Sequence, residues 1–365
     1  MANFQIDFDS STVVYCPSDT VTGKVTLDIP DGFKARKVRM VMIGKAYTFW
    51  EGEAKNNTKI KNSDIVRVRH NCADHKGKIV YCEYECISWK SDDNKHDMPS
   101  GLYSFPFSFK LPNYCPPSFE GDLGFIRYFV KVEIDRPWKF DDKFVRCFTV
   151  LPRIDLAQIP KSLIPSRRHV CEETGSVLWK KGLVKMEISL PKQGFVCGEQ
   201  LPISVKVENK TPRRFKHLHI KLIQHLNYTG FRDGLMDHSM SIGDEKKVRI
   251  EERKILEDNM GVRMEEHSTT EIQKTLTIPP LTPSIKSCEL IDVEYILKAK
   301  ISTGGTFGTV IKVEIPFIIG THPNDLNGKT YKMDYKKSVF GYNATKLKNR
   351  SVQKYAPLYP VYKLK

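Results

Sequence analysis

Apolar and polar residues alternate with a period of two in many short runs along the chain. The clearest are TVTGKVTLDI (20–29), KVRMVMIGKAYTFW (37–50), YSFPFSFKLP (103–112), FIRYFVKVEI (125–134) and VRCFTVL (145–151). The pattern resumes in LVKMEISL (183–190), LPISVKVEN (201–209), HLHIKLIQHLNY (217–228), TEIQKTLTI (270–278), VEYILKAKI (293–301) and TVIKVEIPFIIG (309–320). Side chains in a strand point to opposite faces in turn, so this alternation predicts strands with one buried face. Each run is bounded by Pro, Gly, Asn or Asp, the residues that turn or interrupt a strand. Sustained helical periodicity is missing. Many short strands separated by turn signals predict an all-β protein built of β-sandwiches.

The pattern occurs twice. YCPSDTVTGKVTLDI (15–29) matches FVCGEQLPISVKVEN (195–209) at an offset of 180, and KVRMVMIG (37–44) matches KHLHIKLIQ (216–224) at 179. FSFKLP (107–112) matches KTLTIP (274–279), and IRYFVKVEI (126–134) matches VEYILKAKI (293–301), both at 167. Constant order with a slowly drifting offset predicts two related domains that differ in one loop, because the period is too long for a solenoid unit. Pro152, Pro160 and Pro165 follow the strand ending at Leu151, and prolines at this density favour an extended linker. The expected organisation is a first sandwich at 1–151, a linker at 152–175, a second sandwich at 176–320 and a tail at 321–365. The tail has few aliphatic residues, so it is expected to be a flexible, disordered segment.

Charge adds to this. The chain of 365 residues carries a net charge of +15, and ten Lys or Arg in the tail face only Asp325 and Asp334 there. Such a surface suits anionic partners, namely phosphorylated peptides, acidic lipid headgroups or nucleic acid, or serves solubility alone. An anionic membrane face is the partner the tail suits, at about 1 kcal/mol per cation close to the surface. Nucleic acid is not expected, because no nucleic-acid motif accompanies the charge. No apolar run is long enough for a membrane-spanning helix. The N-terminus has no apolar signal core, so the nine cysteines read as reduced thiols of a cytoplasmic protein.

Candidate chemistry is sparse. His70, Cys72, His75, Cys82 and Cys86 form the densest group of metal-ligand types. A strand over 79–89 would hold Cys82 and Cys86 about 13 Å apart on one face, too far for one zinc ion. A metal or redox sensor is therefore only an alternative, and no metal or cofactor is expected. No nucleophile elbow, HExxH, phosphate loop or kinase signature is present, so no catalytic residue is assigned and the chain is not expected to be an enzyme. Gly304, Gly305 and Gly308 read as a hairpin turn.

The segment FPFSFKLPNYCPPSFEGDLGFIRYFVKVEIDRPWKFDDKFVRCFTV resembles the N-terminal domain of α-arrestins, the arrestin-domain-containing proteins that include thioredoxin-interacting protein. Leu111–Pro112, Pro117-Ser118-Phe119-Glu120-Gly121, Ile126-Arg127-Tyr128 and Arg136-Pro137-Trp138 carry the likeness. Gly198-Glu199, Asn209-Lys210-Thr211 and Ile319-Gly320-Thr321 extend it into the second domain. The resemblance implies two tandem immunoglobulin-like sandwiches of arrestin type, and these residues are expected to maintain that fold. Gly121 and Gly124 are expected to bracket a tight turn of positive φ, and Tyr128 and Trp138 to sit in the core near an edge.

For function, the resemblance implies a cytoplasmic adaptor found peripherally at the plasma membrane or endosomes. It would bind receptor or transporter cargo and recruit a HECT-type ubiquitin ligase through PPxY motifs docked as polyproline segments. This chain departs from that pattern, because PPxY is absent. Tyr355, Pro357, Leu358, Tyr359, Pro360 and Tyr362 are the nearest candidate for a tail docking motif. Tyr355–Leu358 also fits Y-x-x-Φ, as do Tyr84–Ile87 and Tyr228–Phe231, and only the tail copy is expected to be accessible. Residues 256–283 contain no cysteine, so no thioredoxin disulfide is expected. A retromer-like coat subunit of the same fold, bound to one constitutive partner, is the alternative.

Overall fold

The computed structural model describes residues 3–52, 55–61, 64–70, 74–92, 96–138, 140–176, 179–232, 246–305, 308–323, 331–341 and 355–364. The alternating runs are strands. In the first domain, Thr20–Ile29 lies between Asn3–Phe8 and Gly101–Lys110 in a three-stranded sheet. The facing sheet is ordered His75–Lys90, Lys37–Trp50, Gly124–Asp135, Asp142–Val150 and Val14–Tyr15. Val21, Val25, Leu27 and Ile29 project inward from one sheet, and Val38, Met40, Met42, Val130 and Val132 from the other, in a single buried cluster. This is the interleaving expected of a sandwich whose strands alternate inward and outward residues.

The second domain repeats the plan. Ser166–Ser176, Trp179–Leu190, Gln200–Asn209 and Ser268–Thr277 make one sheet. Lys246–Met264, Phe215–Arg232, Ile291–Ser302, Val310–Ile319 and Gly194–Phe195 make the other. The drift in the repeat offset has a structural cause. Twenty-four residues separate Lys37–Trp50 from His75–Lys90, but only thirteen separate Phe215–Arg232 from the matching Lys246–Met264. The two halves also share an anchor. The hydroxyl of Tyr128 donates to the Pro116 carbonyl at 2.8 Å, and that of Tyr295 donates to the Thr282 carbonyl at 2.6 Å. Each buried phenol thus satisfies its polar tip on the loop that enters the preceding edge of its own sandwich.

Several expectations are corrected here. The linker is shorter than 152–175: after two 3-10 turns at Leu156–Gln158 and Pro160–Leu163, residues 166–176 already form an edge strand of the second domain. Lys246–Met264 is a long strand that alternation did not reveal. Its first five residues are exposed and its alternation shifts phase at Ile255 and Leu256, so Ile255, Leu256, Met260 and Val262 pack on the core without forming one unbroken apolar stripe. Gly121 and Gly124 do not adopt positive φ. They are required for close approach, because a Cβ at Gly121 would collide with the Tyr228 hydroxyl and one at Gly124 would lie 2.6 Å from the Tyr47 carbonyl.

The largest correction concerns the tail. Tyr331–Lys337 and Leu358–Leu364 are paired antiparallel strands, and Tyr359, Val361 and Tyr362 are buried. Composition predicted disorder because the tail has too little apolar area to fold alone. Its tyrosines instead bury themselves against the two sandwiches, which supply the missing surface.

Candidate functional site: the domain seam and the tail

The second sheets of the two domains join into one. Phe231 and Arg232 pair with Lys76 and His75, so the sheet runs on from one domain into the other. Trp50 stacks on His75 with ring centroids 5.3 Å apart, and Gly230 leaves room for that indole. Around this junction the domains exchange side-chain hydrogen bonds. Thr48 Oγ1 donates to the Thr229 carbonyl at 2.6 Å, Tyr81 Oη to Cys288 Sγ at 3.2 Å, and Tyr114 Oη to the Ser287 carbonyl.

The seam has an ionic centre built on the turn Ser118–Gly124. Arg127 donates bidentately to Glu120 at 2.5 and 2.7 Å, and both side chains are about 2% exposed or less. Burial pushes the Glu120 carboxyl up, against the pull of Arg127 and Arg253. Two charges removed from water must be paired with good geometry, and the planar guanidinium fork supplies it. The Arg127 guanidinium also lies 3.8 Å from the Phe125 ring centroid. From the second domain, Arg253 reaches across to donate to the Glu120 carbonyl at 3.0 Å and to pair with Asp122 at 3.1 Å. Glu251 accepts from the same guanidinium at 3.3 Å. One arginine thus ties the second domain to the turn that holds the first domain's buried ion pair.

The tail closes over this centre. Tyr355 Oη donates to the Phe148 carbonyl at 2.9 Å, and the Leu358 amide donates to Thr149 Oγ1 at 3.0 Å. Tyr359 Oη donates to the Ser118 carbonyl at 2.7 Å. On the second domain, the Tyr362 amide donates to the Cys197 carbonyl at 2.8 Å and its hydroxyl to the Thr321 carbonyl at 2.7 Å. Gly198, in the left-handed region at φ +87°, lets the tail backbone approach where any Cβ would strike it. Phe340 lies under the Arg253 guanidinium, 5.1 Å from it.

The structure therefore brings together two sets of residues that the sequence kept apart. Tyr359 reaches Ser118 in the turn that also holds Pro117, Phe119, Glu120 and Gly121, Tyr362 lies against Gly198 next to Glu199, and Tyr355, Pro357, Leu358 and Pro360 complete this buried or half-buried stretch of the tail. The expected accessibility of the tail motif is reversed. Tyr355 is half-buried with its hydroxyl bonded to the Phe148 carbonyl, while Tyr84 and Ile87 of the first domain are the exposed pair, held in a strand. Tyr128 is in the core as expected, but Trp138 is fully exposed at 101%, beside Phe140 at 98%. It occupies a hairpin tip with φ +63°, beyond reach of either sheet. Arg136 and Pro137 precede it, with Arg136 paired to Asp142 at 2.9 Å and stacked 4.4 Å from the Phe33 ring. Arg253 and Asp122 were missed, and no local motif marks them.

In the cysteine–histidine group, Cys82 and His75 are buried and Cys86 is exposed. The side chain of His70 and all of Cys72 lie outside the described residues. Among the described residues no group of three or more His, Cys, Asp and Glu gathers around a common point.

The two sandwiches and their seam agree with what comparison with known proteins finds. The family described as Arrestin (or S-antigen), N-terminal domain matches residues 4–157, and Arrestin (or S-antigen), C-terminal domain matches residues 180–324. Arrestin domain-containing protein 17 of Caenorhabditis elegans is 26% identical over 88% of this chain and 70% of its own length. Arrestin domain-containing protein 4 of Mus musculus is 26% identical over 86% of this chain and 70% of its own. For arrestin domain-containing protein 1 of Rattus norvegicus the values are 26%, 81% and 60%. The chain belongs to the arrestin family. Arrestin-domain proteins are in general adaptors.

Proposed function

We propose that this protein is a non-enzymatic adaptor of membrane traffic. It holds a membrane receptor or transporter as cargo and links it to ubiquitination, endocytosis or endosomal sorting machinery. It works in the cytoplasm, peripherally at the plasma membrane or endosomes, where its basic surface favours anionic lipid.

The observation that carries this reading is Arg253 at the seam, which binds the second domain to Glu120 and Asp122 of the first. With the tail packed over it, the seam holds the outer faces and edges of both sandwiches in one arrangement. A platform ordered in advance loses less entropy when it binds two partners at once. Tyr355–Tyr362 is committed to the seam, so within these residues a HECT-type ligase is engaged by a folded surface or through the cargo.

Proximity labelling by the full chain in living cells tests the proposal. Receptors or transporters and sorting or ubiquitination factors are expected among the labelled proteins, and cargo should persist longer at the surface when the protein is depleted. Labelling that enriches no membrane protein ends the reading. A fixed stoichiometric complex on native sizing replaces it with a coat subunit.

A further inference from the structure

The hairpin of Gly124–Asp135 and Asp142–Val150 ends in a tip that the fold does not use. The last rung of its ladder pairs Ile134 with Asp142, so residues 136–141 stand beyond the paired strands. Trp138 and Phe140 are wholly exposed there. Trp138 also sits in the left-handed region at φ +63°, which disfavours a bulky side chain. A large indole left in water on a strained backbone is unfavourable twice over, and no contact within the chain offsets it. The compensation lies outside the chain.

The base of the tip is firmly held. Arg136 pairs with Asp142 at 2.9 Å and stacks on Phe33. The Arg36 amide donates to the Asp135 carbonyl at 2.8 Å, and its guanidinium meets the Asp135 carboxylate at 2.6 Å. Phe33 pairs with Met98, and the Tyr103 hydroxyl donates to the Pro99 carbonyl at 3.0 Å. These contacts bring Leu102, another exposed apolar side chain, to the same end of the sandwich. The neighbouring ions are largely paired already. Lys34 meets Asp97 at 2.7 Å, Lys143 meets Glu133 at 2.7 Å, and the Asp141 carboxylate accepts the Arg136 amide at 3.4 Å.

We propose that this tip enters the interfacial layer of a lipid bilayer, with Trp138 and Phe140 inserted below the headgroups and Leu102 at the rim. The proposal rests on the peripheral-membrane reading above and names the surface that makes the contact. Both aromatic rings are exposed on every side, and a fluid apolar layer surrounds such a convex body where a protein partner would need a deep pocket. An indole, apolar with one N–H donor, suits the boundary between headgroups and acyl chains. Ions paired beforehand let the tip approach the acyl layer without burying an uncompensated cation. A tip fixed on a rigid hairpin loses little entropy on insertion. The contribution is apolar, so it adds to the attraction of the basic surface for anionic lipid and persists when salt screens that attraction.

The test uses the full chain and the variants W138S and W138S/F140S, whose unchanged melting temperatures establish that they fold. The probes are vesicles of phosphatidylcholine and phosphatidylserine, with and without bromine on the acyl chains, in about 0.5 M salt, where charge attraction reaches only a few Å. The natural chain is expected to bind roughly tenfold more tightly than W138S/F140S. Brominated lipid is expected to quench a part of its tryptophan fluorescence that W138S lacks. Equal binding of the natural chain and the double variant, no quenching assignable to Trp138, or no vesicle binding by the natural chain overturns the proposal. So does a W138S/F140S chain that binds vesicles normally but no longer captures one soluble protein, which makes the tip a protein-docking site. Proximity labelling separates the two readings. If vesicle binding fails while the natural chain still labels membrane proteins, the tip is wrong and the adaptor stands. If the tip inserts but no membrane protein is labelled, the adaptor reading is wrong.

Discussion

The hydroxyl of Tyr359 donates to the backbone carbonyl of Ser118 at 2.7 Å, joining residues 241 positions apart. Ser118 in turn accepts, through its own hydroxyl, the amide of Val150 at 2.9 Å. Through this pair the end of the chain is locked to the turn that carries the buried Glu120, and the tail becomes a structural part of the two-domain body.

Shortening Tyr359 should release the tail. Tyr359→Phe leaves the Ser118 carbonyl buried without its donor, which costs about 1–3 kcal/mol. Tyr359→Ala also opens a cavity and costs roughly 3–5 kcal/mol. Thermal unfolding measures both, and limited proteolysis should cut the tail of Tyr359→Ala first.

Glu120 and Arg127 should behave as a unit. Removing either partner strands a buried charge and should destabilise by roughly 3–5 kcal/mol. Replacing both, as Glu120→Gln with Arg127→Met, should cost less than the sum of the single changes. A double-mutant cycle in denaturant measures the coupling.

Acid should weaken the first domain through Glu133. Burial pushes this carboxyl up, but hydrogen bonds from Lys143, Lys131 and Arg39 outweigh burial and bring it down to about 2. A carboxylate depressed in the folded state stabilises fully above its unfolded value, and that stability is lost as pH falls towards about 2. The contribution is roughly 1–3 kcal/mol. Glu133→Gln should flatten the decline in melting temperature between neutral pH and this range, while lowering stability at neutral pH.

Thiol reactivity should divide by burial. Burial pushes Cys82, Cys147 and Cys197 up to about 12 and Cys115 to about 11, so these thiols stay protonated near neutrality. Cys86 and Cys171 are exposed. Brief alkylation followed by mass mapping should label Cys86 and Cys171 and spare these four, because the thiolate is the reactive form.

Trp138 should be dispensable for stability. Its side chain touches no core, so Trp138→Ser should change stability by less than about 0.5 kcal/mol. Trp138→Gly should be neutral or slightly stabilising, because glycine accepts positive φ without penalty. Chemical unfolding with matched slopes measures both.

Alternation was a sufficient guide wherever one strand face meets the core. Thr20–Ile29, Gln200–Asn209 and Ile291–Ser302 are legible because every second residue is buried. Lys246–Met264 was not, because it has one sheet neighbour and polar residues on both faces. Trp138 was misplaced for a related reason. Its apolar bulk suggests burial, but whether a hairpin tip reaches the core depends on where the hairpin ends.

The residues alone determined the strand class, the duplication and the family, because each follows from local spacing or from likeness carried along the chain. The seam and the buried tail were decided by tertiary structure. Arg253 meets Asp122, and Tyr359 meets Ser118, only after two sandwiches have formed and closed on each other. A partner set by folding leaves no periodic trace in the segment that carries it.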